Sequence, residues 1–200
     1  HGLGQKPELV LIKNLSNSGD PQNWIVGATD VYGTSSGEEG YQILNLTNAV
    51  NYSNGGFYSA PTASVVVLGN WENLNESAET FVAYCFHSVE GYSKVGSYTG
   101  NGNADGAFVY TGFRPAYVLS KDTSSANNWA VVDDARNTYN VSNARLEPND
   151  TDAESTSLTC FDFVSNGFKV RTSDPDFNQD TYTYLYLAFA AYPFQYSPAR

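Results

Sequence analysis

An internal repeat constrains this chain more than any other feature. Gly4-Gln5-Lys6-Pro7 precedes an apolar run at residues 9–13 that closes on Lys13, and Gly112-Phe113-Arg114-Pro115 precedes a run at 117–121 that closes on Lys121. Asn23-Trp24 returns as Asn128-Trp129, and Asn45-Leu46-Thr47-Asn48-Ala49 as Asn149-Asp150-Thr151-Asp152-Ala153. Residues 65–86 align without gaps on 168–189, which sets Asn75 on Asn178 and Thr80-Phe81 on Thr183-Tyr184. Tyr92-Ser93 then falls on Tyr196-Ser197. The separation is 108 at Gly4/Gly112 and 103 at Val65/Phe168, so ordered landmarks share nearly one offset. Matching Val and Tyr positions are common to any two strands. Paired Gly-x-x-Pro and Asn-Trp motifs are not, and they point to a duplicated unit.

Each copy reads as a set of short strands. The first set is residues 9–13, 24–27, 42–46, 65–68, 80–86 and 92–95. In the second copy 182–190 is a strand, and 161–170 is a hairpin around Ser165-Asn166-Gly167, where Asn-Gly favours a tight turn. Turn clusters separate them, at Asn17-Ser18-Gly19-Asp20-Pro21, Ser35-Ser36-Gly37 and Asn54-Gly55-Gly56. No segment keeps an apolar stripe at helical spacing for three turns. The expected fold is therefore all-β, an antiparallel β-sandwich of jelly-roll/lectin-like or immunoglobulin-like type built from two tandem duplicated halves. Repeat 1 spans 1–96, a Gly/Asn-rich linker 97–111 and repeat 2 112–200. The copies form either two small sandwiches or halves of one shared core. Pro7 and Pro115 lack a backbone donor and belong at strand entries. Trp24 and Trp129 are read as core plugs.

Composition narrows the function classes. A net charge of −11 repels phosphate backbones and anionic lipid, which argues against nucleic acid and membrane surfaces as partners. No apolar run reaches the length of a membrane span, and no signal-peptide core is present. Met is absent, so the chain reads as a processed product or part of a longer one. Cys85 and Cys160 are the only cysteines, and spacing leaves open whether they are bridged.

Few residues suggest chemistry. Trp71 has no aromatic counterpart in the second copy and sits between Asn70 and Asn73 in a polar loop, a pattern suited to stacking on a sugar. Asp174, Asp176, Asn178 and Asp180 place oxygens at alternate positions, as a Ca²⁺ loop does, but lack its Gly and terminal Glu. His1 and His87 are the only histidines. An N-terminal His in a β-sandwich of this length is similar to the copper site of lytic polysaccharide monooxygenases, with His87 as the second ligand. Asp133-Asp134, near Arg136, reads as solvated charge rather than a glycosidase pair. Six Asn-x-Ser/Thr motifs, at Asn14, Asn45, Asn51, Asn75, Asn140 and Asn149, follow from a composition rich in these residues. No catalytic constellation and no cofactor are expected.

The segments 1–13, 91–102, 110–119 and 166–171 resemble repeat modules of tail-fibre-like and other virion-associated structural proteins of tailed bacteriophages, many of them marine. That resemblance covers nearly the whole chain and carries no catalytic residues. It implies a non-enzymatic, β-rich component of the virion surface, a tail-fibre or capsid-decoration module. Its implied partners are other virion proteins, copies of itself (trimers foremost) and host-surface polysaccharide. A stand-alone carbohydrate-binding module is the runner-up, with a copper-dependent polysaccharide oxidase far behind.

Overall fold

The computed structural model describes residues 1–16, 22–35, 37–52 and 55–193. The turn at 17–21, Ser36, Asn54 and the Tyr196-Ser197 landmark lie outside them. The chain divides into two compact units, His1–His87 and Ser88–Arg200. Each is an antiparallel β-sandwich, as the alternation of β-branched and aromatic residues requires.

The first unit contains β1 (Leu9–Asn14), β2 (Trp24–Gly27), the single-turn α1 (Thr29–Tyr32), β3 (Thr34–Ser35), β4 (Glu38–Glu39), β5 (Tyr41–Ile43), β6 (Phe57–Ser59), β7 (Val67–Leu68) and β8 (Phe81–Phe86). They form two sheets, ordered β5-β2-β1-β8 and β3-β4-β6-β7. Val10, Ile12, Ile25 and Tyr41 of the first sheet pack with Phe57 of the second and with Leu74. Each such buried side chain contributes roughly 1.5–3 kcal/mol.

The second unit contains β9 (Ser93–Thr99), β10 (Phe108–Tyr110), β11 (Pro115–Asp122), β12 (Trp129–Asp133), β13 (Arg145–Leu146), β14 (Phe161–Val164), β15 (Gly167–Val170), the single-turn α2 (Pro175–Asn178) and β16 (Thr183–Ala190). Its sheets are β13-β12-β11-β16-β9 and β10-β15-β14. The core is strongly aromatic: Tyr98, Phe161, Phe163, Phe168, Phe177, Tyr184 and Tyr186 pack with Val118 and Val132.

The two units share more than class. The order β5-β2-β1-β8 recurs as β13-β12-β11-β16. Lys13 faces Trp24 and Val82 across the ladder, and Lys121 faces Trp129 and Leu185. Val10 faces Gly27 and Cys85, while Val118 faces Val132 and Ala188. Gly4 and Gly112 both have positive φ, 66° and 86°, in the turn before the strand. Pro115 opens β11. Trp129 is fully buried, whereas Trp24 is only half-buried and stacks on Tyr84 with ring centroids 6.2 Å apart.

The stretch expected as a linker lies inside the second unit. Residues through Thr99 belong to β9, which pairs with β16 from Phe189↔Ser93 to Thr183↔Thr99. Residues 108–110 pair with β15. The glycines between serve close approach, not flexibility: a Cβ on Gly100 would lie 2.2 Å from Gln179 O, and one on Gly106 2.7 Å from Val170 O. The strand expected at 42–46 is Tyr41–Ile43, because Leu44–Asn45 turn to meet the start of β2. Strands β3, β4, β6 and β10 and the two single-turn helices carry too few residues to leave a periodic signal.

Candidate functional site

The residues singled out in the sequence are mostly parts of the scaffold. Trp71 is half-buried, its ring resting on Tyr41 with centroids 5.1 Å apart. Its carbonyl accepts the N–H groups of Leu74 and Asn75. Asn73 is buried and accepts the Asn23 N–H at 3.1 Å. Asn70 alone of the three is exposed, so this loop presents no stacking platform flanked by amides.

The expected Ca²⁺ loop is a capped helical turn. Asp174 is the N-cap of α2 and accepts the Asp176 N–H at 3.0 Å. Asp176 accepts the Asn128 N–H at 3.0 Å and pairs with Arg145 at 3.0 Å. Asn178 is fully buried and bonds to Asn101, Asn103 and Thr172. Asp180 is exposed, and the Asp174 and Asp176 carboxylates turn toward backbone N–H groups and a guanidinium. No group of three or more His, Cys, Asp or Glu side chains is placed to hold a metal among the described residues.

His1 has both ring nitrogens engaged. Nδ1 accepts the Leu3 N–H at 3.3 Å, and Nε2 lies 3.1 Å from Thr62 O. His1 and His87 do not belong to any group of three or more His, Cys, Asp or Glu side chains placed to hold a metal among the described residues. Both cysteines are free thiols. Burial pushes Cys160 up to about 12 and raises Cys85, so neither is a ready nucleophile. Asp133 pairs with Arg136 at 2.7 Å and Asp134 with Arg114 at 2.6 Å.

A half-buried ionic cluster that the sequence did not signal lies beside α2. Arg145 bridges Glu147 at 2.7 Å and Asp176 at 3.0 Å, and its guanidinium stands over the Phe177 ring at 5.7 Å. Desolvation raises both carboxyls, and Arg145 opposes it. Asn128 ties to Glu147 at 3.0 Å. Through Asp176 and Glu147 the cluster ties α2 to β13 and to Asn128 at the start of β12.

The candidate site is a pocket of about 310 Å³ in the first unit, lined by His1, Val10, Ile12, Val66, Leu68, Ala83 and Cys85. Val10 and Ile12 lie on β1 and Ala83 and Cys85 on β8, all on the inward face. Leu68 comes from β7 and Val66 from the residue before that strand. Both β8 and β7 are last in their sheets, so the pocket opens between two sheet edges. Its lining is apolar except for His1 and the Cys85 thiol. Such a surface offers mainly shape and backbone hydrogen bonds. Sequence reasoning missed it because strand order decides it, and no local motif reports strand order.

A family model described as a domain of unknown function (DUF7483) matches residues 1–193. No curated protein and no solved structure matches the chain. No helix among the described residues is long and apolar enough to cross a membrane.

Proposed function

The chain belongs to the DUF7483 family, and from that premise we propose that it is a non-enzymatic structural module of a virion surface, a tail-fibre or capsid-decoration unit made of two duplicated sandwiches. The observation that carries this reading is the same polar bracket at equivalent places in both units. Asn45 accepts the Trp24 N–H at 2.9 Å and donates to Asn23 at 2.9 Å. Asn149 accepts the Trp129 N–H at 2.7 Å and donates to Asn128 at 2.8 Å. Further, Asn73 accepts from Asn23 N as Asp176 does from Asn128 N. The amides of Asn75 and Asn178 reach the carbonyls of Gly69 and Thr172. Polar side chains that tie loops to sheets, in the same places twice, support a repeated rigid spacer. Sandwiches of this kind are stiff, and their loops are free to vary.

The carbohydrate-binding and copper readings gain nothing from the geometry, since Trp71 leans inward and the imidazole of His1 is engaged. The test is location and copy number. Antibody against the chain should label the surface of intact phage particles that encode it, and protein quantification of purified particles should return many copies per particle. Recovery only in the particle-free fraction rejects the reading.

A further inference from the structure

We propose that the first unit accepts an antiparallel β-strand from a separate polypeptide between β8 and β7, with a large apolar or aromatic side chain opposite Ala83. This goes beyond the virion reading and does not rest on it.

The second unit shows what such a strand does. Its β16 edge is covered by β9, and its β15 edge by β10. In the first unit the matching edges, β8 and β7, carry no strand among the described residues. The consequence is exposure: Tyr84 is 48% exposed and its counterpart Leu187 4%.

The backbone phase is also right. The Leu15 N–H bonds to Thr80 O, which sets the β1-facing bonds of β8 at even-numbered residues. The amides and carbonyls of Phe81, Ala83 and Cys85 therefore face the open edge. Their counterparts Tyr184, Tyr186 and Ala188 face β9, in a ladder whose ends are Gly100 N–H to Tyr182 O and Ala190 N–H to Tyr92 O. An open row of this kind is a ready template for strand addition.

Side-chain volume defines the partner. In the second unit Tyr186 lies over Gly96: a Cβ there would stand 2.8 Å from its hydroxyl oxygen. The first unit has Ala83 in place of Tyr186, and its inward-facing Val66 and Leu68 stand where Phe168 and Val170 fill the second core. The room that the tyrosine fills in one unit is the pocket of the other. An incoming strand must bring the missing bulk itself. The chain's own β9 has glycine there and is already paired with β16. A net charge of −11 also opposes stacking of like chains. Both points favour a separate polypeptide over a second copy.

The experiment uses the full chain and two labelled peptides of residues 91–101, one native and one carrying Gly96→Phe. The Phe peptide should bind saturably and at least about tenfold tighter than the native one, with slowed amide exchange at Ala83 and Cys85. Ala83→Tyr installs the residue of the second unit and should reverse that order. Val66→Lys, which sets a charge in the pocket lining, should weaken the Phe peptide while thermal unfolding shows both variants folded. No saturable binding, equal affinities, or an order unchanged by Ala83→Tyr overturns the proposal. So does sedimentation showing a dimer that Ala83→Tyr dissociates, because a second copy then fills the edge.

Discussion

Asn149 Oδ1 accepts the backbone N–H of Trp129 at 2.7 Å. The N–H opens β12, and Trp129 itself is fully buried. Truncation of Asn149 removes that acceptor and the donor to Asn128. Asn149→Ala should destabilise the second unit by about 1–3 kcal/mol, the net worth of two hydrogen bonds. Asn45→Ala should do the same in the first unit, by less because Trp24 is only half-buried. Urea unfolding followed by tryptophan fluorescence reads both. A loss below a few tenths of a kcal/mol for Asn149→Ala would show that the bracket is ornamental.

The legibility of this fold in the sequence follows from which signals are local. The strands at Leu9–Asn14, Trp24–Gly27 and Phe81–Phe86 were readable because β-branched and aromatic runs end in turn residues. The Asn pairs at 45 and 149 were visible too, but as abundant Asn-x-Ser/Thr motifs, and only geometry reveals them as brackets. Carboxylates at alternate positions fit a Ca²⁺ loop and a capped helical turn equally well, and the Asp174 contacts choose the second. Trp71 reads as a surface aromatic because its neighbours are polar, yet it is half-buried against Tyr41, far away in sequence. The Gly/Asn stretch looked like a linker because a glycine needed for close packing reads the same as one needed for flexibility. The pocket left no trace, since an open edge is a property of strand order.

Tyr98 anchors β9 into the second core. Its hydroxyl donates to Phe177 O at 2.9 Å, and its ring stacks on Tyr184 with centroids 5.0 Å apart at 11°. Tyr98→Phe keeps the stack and loses the donor, so it should cost about 1 kcal/mol. Tyr98→Ala also empties a ring-sized space and should cost about 3–5 kcal/mol. Denaturant midpoints of the two variants give the split. Equal effects would mean that the hydroxyl, not the ring, holds the strand.

Asn178 and Asn75 occupy matching places with unequal burdens. Asn178 is fully buried; its amide reaches Asn101 Oδ1 at 2.9 Å, Asn103 O at 2.6 Å and Thr172 O at 2.8 Å, and its Oδ1 accepts the Asn101 N–H at 2.9 Å. Asn75 is exposed and reaches only Gly69 O, at 3.3 Å. Asn178→Asp sets an anion against three oxygens and should cost about 3 kcal/mol or more, while Asn75→Asp should stay within about 1 kcal/mol. Proteolysis should also open the 100–107 loop in Asn178→Asp alone. Comparable losses at the two sites would contradict the assigned role of Asn178.

Lys121 gives the second unit a signature in pH. Its ammonium is enclosed and donates to Asp122 O at 2.6 Å and Ser125 O at 3.2 Å. Burial lowers its pKa from 10.5 to about 8, against the pull of Asp122 and Asp176. Between those values the unfolded chain holds the proton more tightly than the folded one, so this group makes stability rise with pH from about 8 to 10.5. The buried thiols Cys85 and Cys160 act oppositely above their ordinary value of 9.0, and Tyr98 and Tyr184 above 10.0, because burial raises all four. The difference between the native chain and Lys121→Met removes these shared contributions. Lys121→Met keeps the apolar stem and discards the charge, so the stability of the native chain relative to the variant should climb across the Lys121 window and be flat below it. Urea midpoints of both proteins from pH 6 to about 10.5 measure that difference. A difference that does not change with pH would mean that Lys121 titrates in the folded protein as it does in water.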